Sequence, residues 1–416
     1  MSISQFSAVA RRGVVVGAVC TACIAVTAGS VAAQEMPSPE EMWQVIQEQQ
    51  REIEALKERI GAGEAVAEET AMAVEAVVES IDAGTTGAGW WDRTQIGGYG
   101  ELHYNIKENS QDRVDFHRYV LFFGHDFNAT TRMFSEFELE HSLAGEGKPG
   151  EVELEQAYIE RDFSDSVIGR AGIMLMPIGL LNEVHEPPTF YGVERNRIEN
   201  VIVPTTWWEA GVSGTMTTEA GVQVDVMLHS GLDVPTDSFK IRSGRGKVAN
   251  HDFEEGAVTG RIRYTGMPGV ELAAALQHQA DLTQGDDASG TLIVANAAVT
   301  RPISESMSLG LRALYAGWDI DGDDAAALGA DSQNGWYLEP SVRMALGGDE
   351  SVGFFARYET WDTRAGNSAD TEENQWVVGV NYWLHPNAVL KADYVTHEKP
   401  GSDDAKTLSL GVGYQF

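Results

Sequence analysis

Cysteine is nearly missing from this chain: of 416 residues only Cys20 and Cys23 carry a thiol, and both lie in the leading apolar segment. Once that segment is cleaved, no disulfide and no thiolate chemistry remains. Cationic residues are also few, 29 Lys and Arg against 63 Asp and Glu, for a formal charge of −34. So acidic a balance argues against nucleic acid as a partner, because phosphate backbones are held by Lys and Arg. Signatures of a nucleophile are absent too. No Gly-x-Ser-x-Gly occurs, Ser135 alternates away from Glu136 and Glu138, and the ten histidines form no pair at metal-ligand spacing within one element. No catalytic residue, metal or cofactor is expected, and the chain does not read as an enzyme. The helix-and-strand alternation of an α/β protein is missing after Trp91.

What is present begins with Arg11 and Arg12, an apolar run over residues 13–25, and small residues ending in Ser30-Val31-Ala32-Ala33. This is the pattern of a cleaved secretory signal peptide over residues 1–33. A membrane-spanning anchor is the alternative, because residues 13–33 carry no charge and could cross a bilayer. The many Gly, Ala and Thr residues favour cleavage, which removes two arginines and leaves a charge of −36. Over residues 34–60, Met42, Ile46, Gln49, Ile53, Leu56 and Ile60 recur at alternating spacings of four and three, the core positions of a short coiled-coil helix. About three heptads are marginal alone, so a helix folded back on its own chain is the competing reading. Residues 61–91, rich in Ala, Glu and Gly, read as a flexible tether.

From Thr94 the period changes from helical to two. About sixteen segments alternate apolar and polar residues, each near the roughly 9–11 residues that a tilted membrane strand requires. In the last of them Leu408, Leu410, Val412, Tyr414 and Phe416 oppose Ser409, Gly411, Gly413 and Gln415. Short turns, as at 164–166, 217–221, 265–269, 302–305, 347–350 and 385–387, alternate with long polar connections such as 232–254, 320–334 and 363–373. A soluble sandwich has no reason for that asymmetry, whereas an outer-membrane barrel has short periplasmic turns and long external loops. An open sheet in lipid leaves backbone groups unpaired, so the cylinder must close. The expected fold is all-β: a 16-stranded antiparallel transmembrane β-barrel over residues 92–416, in the outer membrane of a Gram-negative bacterium, with the N-terminal helix in the periplasm. At that strand number the interior is expected to be an aqueous channel. Tyr414 and Phe416, at the C-terminal end, read as the signal for the barrel-assembly machinery.

The longest connection, about 178–205, contains Asn182-Glu183-Val184-His185-Glu186-Pro187-Pro188-Thr189-Phe190-Tyr191-Gly192-Val193-Glu194-Arg195-Asn196 and leads to Trp207-Trp208-Glu209. With this stretch the chain resembles the phosphate-selective porin family, porins O and P, over residues 94–416. The resemblance implies a trimeric sixteen-stranded outer-membrane channel whose third external loop folds inward. By that analogy Glu183, His185, Glu186, Tyr191, Glu194, Arg195 and Arg197 sit near a constriction; the alternative is a surface loop stiffened by prolines.

Alternation places Arg261, Arg263, Arg312, Arg343, Arg357 and Lys391 on the inward face, joined by Arg170, as a basic column along the wall. Such charges tune which ions pass. Glu136, Glu138, Glu140, Glu151, Glu153 and Glu155 load the third and fourth strands with acid, so phosphate selectivity does not follow from the resemblance. The function expected is a passive water-filled channel for small hydrophilic solutes and ions, anions such as phosphate among them, in a lipid-embedded homotrimer. Two other classes stay open: a barrel whose helix tethers the outer membrane to the cell wall, and an outer-membrane hydrolase, for which the residues offer little.

Overall fold

A computed structural model describes residues 89–250 and 253–416, together with Trp43, Gln50, Glu54 and Lys57, which are helical and exposed. The expected signal peptide, the heptad core positions and the tether up to residue 88 lie outside the described residues.

Sixteen antiparallel strands form one closed barrel, each bonded to its sequence neighbours and the first to the last. They begin with β1 (Thr94–Lys107), β2 (Arg113–Asn128), β3 (Thr131–Glu140), β4 (Val152–Ser164), β5 (Val167–Leu175) and β6 (Trp208–Thr217). Next come β7 (Val222–His229), β8 (Ala257–Tyr264), β9 (Val270–Gln279), β10 (Ser289–Pro302) and β11 (Met307–Asp321). The circuit ends with β12 (Ser332–Gly347), β13 (Glu350–Asp362), β14 (Glu373–His385), β15 (Ala388–Glu398) and β16 (Ala405–Gln415). A short helix, α1 (Asp323–Leu328), lies in the β11–β12 connection.

The period of two in the sequence becomes two faces of a wall. Along β16, Leu408 and Leu410 are each 40% exposed while Ser409 between them is 1% exposed. On β8, Val258 and Ile262 face out and Thr259 and Arg261 are buried inside. β2 breaks the alternation for a local reason. Glu101 of β1 opposes Arg118 but Leu102 opposes Phe116, so His117 is an extra residue in a bulge and the period slips there.

The barrel closes where the chain ends. Phe416 N–H donates to Gly98 O at 2.9 Å and Gly98 N–H to Phe416 O at 3.0 Å, and the ladder then runs up to Lys107 opposite Thr407. Gly98 is needed for this approach, since a Cβ there would stand 2.2 Å from the Val120 carbonyl oxygen on the other neighbouring strand.

Part of the interior is packed. On the β7–β13 side an apolar core fills the half nearer the long loops. Ile198, Ile202 and Trp207 from the β5–β6 loop and Leu232, Val234, Phe239 and Ile241 from the β7–β8 loop pack on Leu292, Val294, Leu314, Trp318 and Tyr337 of the wall. Each such side chain contributes about 1.5–3 kcal/mol on burial, so these loops are folded parts of the protein. The sequence carries the sign of this: Leu292-Ile293-Val294 and Leu314-Tyr315-Ala316 are apolar on both faces, which a wall facing only water does not need.

Gly98→Ala should lower stability by about 1–3 kcal/mol, the usual cost of overpacking, whereas Gly214→Ala, with open space around its Cβ position, should be near neutral. Urea midpoints of the refolded protein check this; equal midpoints for the two variants would contradict the seam geometry.

Candidate functional site

The β5–β6 connection turns into the barrel and crosses its interior. Its neck is tied by Asn182, whose Nδ2 donates to Met176 O at 2.8 Å and Trp207 O at 2.9 Å while its Oδ1 accepts from Trp207 N–H at 2.7 Å. Its hub is Glu199, 3% exposed. One carboxylate oxygen accepts from the Leu180 and Leu181 N–H groups at 2.6 and 2.7 Å, and the other from Asn196 Nδ2 at 2.7 Å and the Tyr337 hydroxyl at 3.3 Å. Asn196 Oδ1, just ahead of the helical turn Ile198–Ile202, accepts the Glu199 N–H at 2.7 Å.

Between neck and hub, Pro187 and Pro188 open a single 3₁₀ turn and are buried. The next carbonyls are then taken one after another by inward side chains of the wall. Trp383 Nε1 donates to Pro188 O at 3.0 Å, Arg312 to Thr189 O at 2.8 Å, Asn381 to Phe190 O at 2.9 Å and Lys391 to Gly192 O at 2.7 Å. Asp393 accepts the Val193 N–H at 2.6 Å, and Glu359 accepts that of Arg197. Gly192 adopts φ +82°, and a Cβ there would press on Phe355 at 3.2 Å.

The loop residues singled out from the sequence are thus spread round the wall. Glu183 pairs with Arg261, which also holds Asp225 at 2.8 Å. His185 is buried against Glu136 and Glu155, and Glu186 also has a buried carboxylate oxygen. Tyr191 packs on Phe355 and Trp383. Glu194 accepts from His103 and Asn105 at 3.1 and 3.2 Å. Arg195 is buried, with Nη1 donating to Thr206 Oγ1 at 2.8 Å and with Nε and Nη2 lacking a hydrogen-bond partner among the described residues. Arg197 lies over the Trp361 ring, 5.3 Å from its centre.

The inward cations do not form one free column. Arg170 is bound to Glu160, Arg261 to Glu183 and Asp225, and Arg357 to Glu359 at 2.5 Å and Glu339 at 3.0 Å. Arg263 donates to Gln223 at 2.7 Å, and Lys391 and Arg312 hold loop carbonyls. Arg343 lies 3.9 Å over the Trp383 ring and donates to Ser351 at 3.0 Å. Among the described residues, neither Arg312 nor Arg343 has a carboxylate at ion-pair distance. Carboxylates thus hold Arg170, Arg261 and Arg357, while backbone carbonyls of the entering loop hold Arg312 and Lys391.

Two cavities flank the loop, and Phe190 lines both. The one toward the short turns, about 430 Å³, is lined by Arg312, Arg343, Ser308, Ser341 and Thr265, with Glu271 as its acid. The other, about 320 Å³, reaches into the long-loop end and mixes Glu101, Glu138 and Glu153 with Arg195, Arg242 and Arg245. Burial, and then the neighbouring Arg118, bring the Arg195 guanidinium down to about 10, so it is still charged at neutral pH.

Comparison with known proteins sets this geometry in context. Residues 209–402 match the family model described as Gram-negative porin. An uncharacterized protein of Aquifex aeolicus (strain VF5) is 28% identical over 359 residues, which span 77% of this chain and 79% of that one. Among solved structures, the barrel is similar to an anion-selective porin from Comamonas acidovorans, at 12% identity and a TM-score of 0.54, covering 78% of this chain and 99% of the other. It is also similar to the outer membrane channel DcaP of Acinetobacter baumannii, at 12% identity and TM-score 0.52, with 78% and 97% covered. The trimer form of OmpT of Vibrio cholerae matches at 11% identity and TM-score 0.50, covering 78% and 99%. At such identities these structures share the fold.

Glu199→Ala removes the acceptor of two buried N–H groups and should lower the local opening free energy of residues 176–203 by about 3 kcal/mol. Hydrogen exchange followed by mass spectrometry should then show roughly 100-fold faster exchange at Leu180 and Leu181, with the β-strands unchanged; unchanged loop protection would contradict the hub assignment.

Proposed function

We propose that this chain is a bacterial outer-membrane porin, a passive channel for small hydrophilic solutes and ions. The observation that carries the reading is a closed barrel, apolar outside, whose β5–β6 loop turns inward and leaves a cavity with polar lining on each side of Phe190. A lipid-facing wall requires the first feature, and selective passage is the use of the second. The match to Gram-negative porins over residues 209–402 supports it. In this reading the loop is the constriction, the short turns face the periplasm, and the exposed Phe416 at the seam is the mark used by the assembly machinery.

We further infer a homotrimer, supported by the heptad spacing of residues 42–60 and by the trimer form of one structural neighbour. For charge preference, Arg312 and Arg343 supply anion contacts, phosphate included, on the short-turn side, while Glu138 and Glu140, without an ion pair among the described residues, draw cations on the long-loop side. In this reading the two chambers are successive parts of one path, and the level of Phe190, which lines both, sets the rate.

The purified protein in planar bilayers should give discrete ohmic steps. Replacing Arg312 and Arg343 together by Ala should move the reversal potential in a salt gradient toward cations. Absence of steps would remove the porin reading, and an unchanged reversal potential would remove the role of the two arginines.

A further inference from the structure

Three buried side chains from three separate elements meet at one point of the interior: His185 of the β5–β6 loop, Glu136 of β3 and Glu155 of β4. His185 is 3% exposed and each glutamate 2%. The imidazole Nε2 stands 3.7 Å from Glu136 Oε1 and 3.8 Å from Glu155 Oε2, too far for hydrogen bonds. Those same three atoms, Nε2, Oε1 and Oε2, are buried without a hydrogen-bond partner among the described residues. Buried polar atoms are almost always satisfied, because each one left unpaired costs about 1–3 kcal/mol and a charged one more.

The proton arrangement sharpens the conflict. His185 Nδ1 lies 2.9 Å from the Asn182 carbonyl oxygen, which can only accept, so Nδ1 carries the hydrogen and Nε2 of the neutral ring offers a lone pair. A lone pair and two carboxylate oxygens therefore point at one another. The surrounding charges do not resolve this. Glu138 and Glu186 add acid, and Arg118 and Arg195 are the cations in electrostatic range, Arg118 being held by Glu101 at 2.6 Å. Four carboxyl groups share this space with two guanidiniums, and a divalent cation binds such a set by taking the place of carboxyl protons.

We propose that His185, Glu136 and Glu155 bind a divalent transition-metal ion that fastens the inward loop to β3 and β4. The three donor atoms lie within 4.8 Å of one another, and donors arranged around one ion at about 2.1 Å stand roughly 3.5 Å apart, a small inward movement from the distances seen. One imidazole with two carboxylates suits zinc or a neighbouring first-row ion better than calcium or magnesium, which take oxygen alone. The outer contacts are those a metal site uses: Nδ1–H on a backbone carbonyl, and Gln156 Nε2 donating to the far oxygen of Glu136 at 2.6 Å. The other two groupings of ligating side chains among the described residues lack this character. His141 Nδ1 sits 2.8 Å from Asp115, within hydrogen-bond distance, and Lys247 already provides the cation for Glu151 and Glu153.

The full-length protein in detergent, stripped with chelator and titrated with zinc against a chromophoric competitor, tests this directly. One zinc per chain should bind and raise the melting temperature, and Glu136→Gln, Glu155→Gln and His185→Gln should each weaken binding at least about 10-fold. In chelator, Glu155→Gln should melt above the wild type, because it removes one of the facing charges. Zinc-edge X-ray absorption on the unaltered protein reads the donors without any substitution and should show one imidazole with oxygen neighbours. No zinc uptake, uptake indifferent to all three substitutions, or a spectrum without imidazole scattering would overturn the site.

Discussion

Everything in this molecule depends on the hydrogen-bonded seam between β1 and β16. A sheet of sixteen strands has two edges, and each edge exposes a row of backbone donors and acceptors. In lipid those groups have no water to turn to, and each costs several kcal/mol if left unpaired. Pairing the first strand with the last removes both rows together. It also defines an inside, and the rest of the structure is what the chain does with that inside.

The inside is used unevenly. On one side, apolar residues of the β5–β6 and β7–β8 loops pack on the wall as a soluble core would. Elsewhere along the wall, the loop is held through its carbonyls by Arg312, Asn381, Trp383 and Lys391 and through its N–H groups by Asp393 and Glu359. Buried charges are costly unless their hydrogen bonds are made, and here the backbone of the loop makes them. These inward side chains of the wall thus set where the loop sits, and a cavity is left on each side of Phe190.

Much of this was legible in the chain. The strand count, the start of the barrel at Thr94 and the alternation of short turns with long loops follow from a period of two, because in a closed wall with an apolar outer face every strand is sorted by the same rule. The site was less legible. Alternation says that Arg312 or Lys391 points inward, but it cannot say whether the partner there is a solute, a carboxylate or the carbonyl of Thr189 or Gly192. His185, Glu136 and Glu155 stood apart by 19 residues or more, and only the fold brings their unpartnered atoms together. The packed core was signalled by Leu292-Ile293-Val294, apolar on both faces, a pattern that reads as an ordinary buried strand until the loops that cover it are known. β2 lacks a clean alternation for a mechanical reason, the bulge at His117.

The register of the seam can be tested on the chain itself, since its two cysteines, Cys20 and Cys23, precede residue 34. Gly98 and Phe416 exchange both backbone bonds, so Asn105 and Ser409, an odd number of steps along the ladder, form a close pair without mutual bonds, the arrangement a disulfide bridges. In a background without the native cysteines, Asn105→Cys with Ser409→Cys should cross-link under mild oxidation, whereas Asn105→Cys with Leu410→Cys, pointing to opposite faces, should stay reduced. A cross-link that fails in the first pair, or forms equally in both, would contradict a barrel closed in this register.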